Sequence, residues 1–296
     1  MVERRFVDRH GVEVFTRWWR IDAPEGVVLV SHGASEHSAR YDRFARALNT
    51  AGFAVAALDH RGHGHTATGA DRALMGSGGG DAVVDDLHEL RAATNAEFGD
   101  IPTFVFGHSM GALIGLAYLA RHAGGLAGSV LCGFPADVDG AAALAELLRG
   151  FADAGMRDDP VADLLSHDDA VSSPRTRYDW LSRDPDEVDR HVADPMCGDD
   201  HPLTYGYLLD LFDVVAPARQ RLSAISCPVF VIAGDHDPAA AMGAHPTSLA
   251  TALEADGVAV DLKIYEGARH ELLNETNRDD VTADLVAWLR ARLPRA

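Results

Sequence analysis

With 296 residues, 47% of them apolar and 24% charged, the chain has the size and balance of one large α/β domain, or of a core carrying an inserted subdomain. Its formal net charge of −19 argues against nucleic acid or an anionic membrane as a partner held by bulk electrostatics. Three scattered cysteines, Cys132, Cys197 and Cys227, are too few for a disulfide framework or a Cys-x-x-Cys metal site, and a reducing compartment is the default.

The N-terminal stretch MVERRFVDRHGVEVF is charged but has no apolar h-region, and no apolar run approaches the length of a membrane span. A cytoplasmic protein without stable membrane insertion is expected. Phe6-Val7 and Val12 to Trp19 read as two strands turning at His10-Gly11. Val27 to Ser31 is a continuous apolar run, which fits a strand buried on both faces. A helix over Tyr41 to Thr50 follows, then a buried strand over Phe53 to Leu58. Gly76 to Gly80 lacks the Lys-Ser/Thr of a phosphate loop and reads as a flexible connection into a helix from about Ala82 to Phe98.

Thr103 to His122 organises the rest. A β-prone run, Thr103 to Phe106, passes through Gly107-His108-Ser109-Met110-Gly111 into an Ala/Leu-rich helical stretch. Strand, G-x-S-x-G and helix together are the context of a nucleophile elbow, with small residues where a Cβ would strike the neighbouring elements. Leu126 to Cys132 supplies another strand. The alternation lapses from about 135 to 222 and resumes with Pro228 to Gly234, a helix near Thr247 to Ala255, a strand over Val258 to Tyr265 and an amphipathic helix over Asp279 to Leu293. A mostly parallel α/β sheet with helices on both faces is therefore expected, with 1–134 and 223–296 as the core and 135–222 as an inserted helical cap.

A serine hydroxyl needs a base, and the base needs an orienting acid. In α/β-hydrolases they follow the nucleophile in the order acid, then histidine. His270 directly follows the strand ending at Tyr265 and is the expected base. Asp235 and Asp237 both follow the strand ending at Gly234. Asp237 is favoured, because the loop needs a residue or two to turn a side chain toward the histidine, while Asp235 suits capping of loop N–H groups. The oxyanion hole should combine the N–H of Met110 with that of Ala34, where Gly33 permits close approach.

These residues carry a resemblance. His32-Gly33-Ala34-Ser35-Glu36-His37-Ser38-Ala39-Arg40-Tyr41 resembles the HG-A-x-EHS-x-RY signature of monoacylglycerol lipases and related lysophospholipase-type serine hydrolases. Asp59 to Gly64, Gly107 to Gly111, Ile264 to His270 and, more loosely, Asp194-Pro195-Met196-Cys197 are similar to the same family. The resemblance implies an α/β-hydrolase fold with a helical cap, cleaving esters of single acyl chains without a cofactor. It places the acid on Asp237, the base on His270 and the oxyanion donors on Ala34 and Met110. It also puts Glu36 and Arg40 near the alcohol end of the substrate, although an i,i+4 ion pair between them is an equal alternative.

His60, His63 and His65 share one loop, but no second ligand cluster at zinc-like spacing accompanies them, and no metal is expected. His32 and His108 are expected to hold loops rather than react. The rival reading is a serine aminopeptidase or amidase of the same fold, whose cap would use acidic residues to hold a free amine. A haloalkane dehalogenase would need a carboxylate at position 109. A ligand-binding member without turnover has fold analogy as its only support.

Overall fold

In the computed structural model the described residues are 1–67, 69–161, 167, 170–198 and 202–294. Eight strands form one sheet: β1 (Val2–Val7), β2 (Glu13–Trp19), β3 (Gly26–Ser31), β4 (Phe53–Leu58), β5 (Thr103–His108), β6 (Gly128–Cys132), β7 (Val229–Gly234) and β8 (Val260–Tyr265). Their order is β1-β2-β4-β3-β5-β6-β7-β8, with β2 antiparallel to both neighbours and the remaining pairs parallel. The helices are α1 (Asp42–Thr50), α2 (Gly79–Phe98), α3 (Met110–His122), α4 (Ala141–Phe151), α5 (Pro185–Ala193), α6 (Tyr205–Val215), α7 (Ala244–Ala255) and α8 (Arg278–Arg290).

The central strands β3, β4, β5, β6 and β7 are buried at every position because both faces are covered. Val27 and Leu29 of β3, Val105 of β5 and Val231 of β7 join one core with residues of α2, α3 and α7. Their neighbours Val28, Val30, Phe104, Phe106, Phe230 and Ile232 point the other way, into a core with α1 and α8. This is the period-2 alternation of a strand, read on two buried faces.

Register decides where the chemistry sits. Ser31 pairs with Gly107, His108 with Cys132, Cys132 with Ile232 and Gly234 with Tyr265. The carboxyl ends of β3, β5, β6, β7 and β8 are therefore level. The loops after them, which carry Gly33-Ala34, Ser109, Asp237 and His270, leave from one edge, where open α/β sheets place ligands.

Between β6 and β7 the described residues form α4, α5, α6 and short turns. They add no strand to the sheet, only an isolated bridge between Pro160 and Thr204. Helix α5 begins at Asp184, whose side chain accepts from the Asp186 N–H at 3.0 Å, with Pro185 at the first helical position. Helix α6 packs on α2 and α3 as well as on α4, so the segment's last helix also belongs to the core layer. The Gly76–Gly80 stretch differs from a flexible connection. Gly78, at φ 90°, caps the start of α2, and a Cβ on Gly80 would collide with the Asp210 carbonyl of α6. The glycines let two helices touch.

Candidate active site

The elbow is built by exclusion of side chains. A Cβ on Gly107 would strike the Gly111 carbonyl, and one on Gly111 would strike the Ser31 carbonyl. Between them Ser109 adopts φ 53° and ψ −118°, a conformation costing a non-glycine residue about 1–3 kcal/mol and held here by the surrounding packing. The Ser109 N–H donates to the Cys132 carbonyl at 2.9 Å, which ties the turn to β6. The hydroxyl side faces a cavity of about 340 Å³ that Ala34, Met110 and His270 also line.

His270 Nδ1 donates to Asp237 Oδ2 at 2.8 Å, and both side chains are buried. The other Asp237 oxygen accepts from the Ala240 N–H at 3.2 Å. Asp235 is turned elsewhere: its Oδ1 accepts from the Gly267 N–H and lies against His236 Nδ1, both at 2.6 Å. Gly133 adjoins the pair, and a Cβ there would come within 3.3 Å of the His270 ring. Among the described residues, no acceptor takes the N–H of Ala34 or that of Met110, and both residues line the cavity, so two donors are open to a developing oxyanion.

Glu36 holds the loop that presents Ala34. Its Oε1 accepts from the Gly33 N–H at 2.5 Å, the Tyr41 hydroxyl at 2.8 Å and His108 Nδ1 at 3.1 Å. Its Oε2 takes Arg40 at 2.9 Å. Burial alone would raise this carboxyl, but the His108 hydrogen bond and the Arg40 charge hold it well below the usual range. His108 is raised in turn: burial is the largest single influence and opposes its charge, but the bond to Glu36, the charges of Glu36 and Glu271 and the His270 carbonyl together outweigh it.

Arg40 makes a bidentate pair with Glu271, at 2.5 and 2.7 Å. Burial opposes ionisation of Glu271 too, yet the arginine brings it down to about 2. The expected pairing of Glu36 with Arg40 is thus present, and Glu36 lines the cavity. The Arg40 guanidinium lies behind it, spent on two carboxylates. Sequence reasoning did not single out Glu271, whose partner Arg40 lies 231 positions away and already had a local partner in Glu36.

The histidine loop has a structural explanation. His60 N–H donates to His32 Nε2 at 2.9 Å, so the His32 proton sits on Nδ1 and goes to the Gly33 carbonyl at 2.7 Å. His60 Nε2 meets Ser31 Oγ at 2.8 Å, and His63 Nδ1 donates to the Arg61 carbonyl at 3.0 Å. Burial lowers all three imidazoles, His60 well below its ordinary value and His63 to about 3. The unfolded chain protonates them near pH 6.5 while burial resists protonation in the fold, so the unfolded state binds more protons and stability falls as the pH is lowered. His63 contributes a slope of about 1.4 kcal/mol per pH unit between pH 6.5 and about pH 3, and His32 and His60 act in the same direction. Urea midpoints measured from pH 7 to pH 4 should fall steeply, and His63→Gln should flatten the fall. Among the described residues a different trio, His37, Asp194 and Cys197, comes close enough to hold a metal ion. There His37 Nε2 already bonds Asp194 Oδ2 at 2.9 Å, joining the β3 loop to the segment between β6 and β7.

A family model described as "Serine aminopeptidase, S33" matches residues 22–277. The chain belongs to this family of α/β-hydrolases. It is 32% identical to a monoacylglycerol lipase of Mycolicibacterium smegmatis over 98% of both chains. It is 28% identical to the human monoglyceride lipase, over 98% of this chain and 91% of that one. A solved thermostable carboxyl esterase from Bacillus coagulans, in complex with glycerol, superposes with a TM-score of 0.90 at 31% identity, covering 99% of each chain. The mostly parallel sheet, with its helices on both faces, is thus the α/β-hydrolase fold.

Proposed function

We propose that this hydrolase cleaves carboxylic esters of a single acyl chain, of the monoacylglycerol kind, through an acyl-enzyme on Ser109. His270 Nε2 takes the serine proton as the hydroxyl attacks the ester carbonyl. Asp237 holds the imidazole in the tautomer that leaves Nε2 free and offsets the charge that forms. The tetrahedral oxyanion accepts from the N–H groups of Ala34 and Met110. His270 then protonates the departing alcohol and activates the water that releases the acid. Residues 135–222 act as a cap that supplies the far wall of the cavity. Its Leu144, Val161, Leu208, Leu211 and Phe212 make an arm suited to an acyl chain, while Glu36, His191 and Glu271 lie at the polar end.

The observation that carries the ester reading over the aminopeptidase reading is the lining itself. No aspartate among the described residues lines the cavity. Asp184, Asp189, Asp210 and Asp213 of this segment pair instead with Arg278, Arg175, Arg157 and Arg149. A free amine would find no unspent aspartate there. The lipase and carboxyl esterase relatives support the same conclusion. No helix among the described residues is long and apolar enough to cross a membrane.

A volume of about 340 Å³ is near the small end of ligand cavities. Medium-chain 4-nitrophenyl esters and monoacylglycerols should therefore turn over faster than the longest chains, and amino-acid anilides should be poor substrates. Steady-state rates across such a panel test the reading, and a preference for anilides over every ester would reverse it.

A further inference from the structure

We infer that Trp180 is a positioning residue that stabilises the protonated state of His270. The inference rests on His270 being the general base proposed above. The indole and imidazole centroids are 5.0 Å apart, with the rings tilted by 40°. A cation within about 6 Å of an indole centroid is attracted by the negative face of the ring. His270 is neutral before attack and becomes imidazolium as it takes the Ser109 proton. The indole therefore gains interaction as the barrier is climbed, which is the condition for raising kcat rather than merely tightening binding.

The contact is held in place from both sides. Trp180 lies on a short turn, Asp179–Leu181, just before α5. The loop carrying His270 is fastened to that turn. Arg269 Nη1 donates to the carbonyls of Asp179 at 2.5 Å and Ser182 at 3.0 Å. The Glu271 N–H donates to the Leu181 carbonyl at 2.8 Å, and Ser182 Oγ to the Asn274 carbonyl at 2.8 Å. Arg183 pairs with the buried Glu275 at 2.8 Å. These bonds bracket both ring-bearing residues, one position to either side, so the indole is fixed relative to the imidazole. This part of the helical segment supports the catalytic loop.

The other groups around His270 are accounted for. Asp237 holds its Nδ1, and Cys132 ends the adjoining strand β6, beside Gly133. The His108 ring lies 4.8 Å away, with its charge shared with Glu36. Glu271 follows in the chain but is paired with Arg40, and the His167 ring packs against the indole at 4.6 Å. Asp237, through Nδ1, and Trp180, through its ring 5.0 Å away, are contacts that favour a positive imidazole directly.

The test is the pH profile of kcat/KM on a soluble 4-nitrophenyl ester for wild type, Trp180→Leu, Trp180→Phe and His270→Gln. Trp180→Leu keeps apolar bulk without the π-face. It should lower kcat about three- to thirtyfold and move the acid limb of the profile to lower pH by about half a unit to one unit and a half. Trp180→Phe keeps a weaker face and should fall between, which also covers the case in which the leucine variant folds poorly. A side chain that merely lines the cavity would change KM and leave the limb where it is. An unmoved limb in both variants, with His270→Gln inactive, overturns this inference and leaves the serine-hydrolase reading standing. Full turnover by His270→Gln would overturn both.

Discussion

Replacing Ser109 with alanine should lower kcat on any ester substrate by about five to six orders of magnitude while leaving the fold intact. The size of the loss follows from what the side chain alone provides. The proposed oxyanion donors Met110 and Ala34 act through the backbone and survive the substitution, as does the Asp237–His270 pair at 2.8 Å. Only the nucleophile is gone. What remains is attack by water in a cavity that still stabilises an oxyanion, a residual of roughly a thousandfold over the uncatalysed rate. The Ser109 N–H keeps its bond to the Cys132 carbonyl, and alanine suffers the same positive φ as serine. The thermal midpoint should therefore move little, and the acyl-enzyme detected by mass spectrometry after quenching with substrate should vanish. A variant retaining a tenth of the activity would remove Ser109 from the chemistry.

The parts of this molecule that were legible in the sequence are those fixed locally. Val27 to Ser31 and Val229 to Gly234 read as strands because burial on two faces leaves a nearly unbroken apolar run. The elbow announced itself because its glycines answer backbone collisions within a few residues, at Gly107 and Gly111. Strand β1 begins earlier than its apolar residues suggested, at Val2, because an exposed edge strand needs ladder bonds and only alternate burial. Gly80 was opaque for another reason: the group that demands its missing Cβ is the Asp210 carbonyl, far along the chain. The Arg40–Glu271 pair spans 231 positions, and nothing local to either residue names the other. Trp180 sits in a stretch without periodicity, so only the folded loop reveals the ring it faces. Long-range pairing, more than secondary structure, is what one sequence withholds.

The choice between Asp235 and Asp237 can be made to give opposite results. Asp237→Asn should cost about four orders of magnitude in kcat near neutral pH. The amide would keep an oxygen for the Ala240 N–H, 3.2 Å from Oδ1, and would turn an NH₂ toward His270 Nδ1. That contact favours an imidazole with its proton on Nε2, the nitrogen that must receive the serine proton, and it also removes the negative charge that offsets the imidazolium. Stability should change far less than rate, because the replacement is isosteric and the buried site loses a charge rather than gaining one. Asp235→Asn is the control with the same chemistry in the same loop. Its side chain is partly exposed, and an asparagine oxygen can still accept from the Gly267 N–H, so activity should stay within about twofold and the cost in stability near 1 kcal/mol. Chain order alone allows either aspartate. Geometry favours Asp237, which reaches inward to the histidine, while Asp235 accepts from Gly267 in the loop after β8. If Asp235→Asn proved to be the silent enzyme and Asp237→Asn the active one, the bond at 2.8 Å would be support for the fold and not for the reaction.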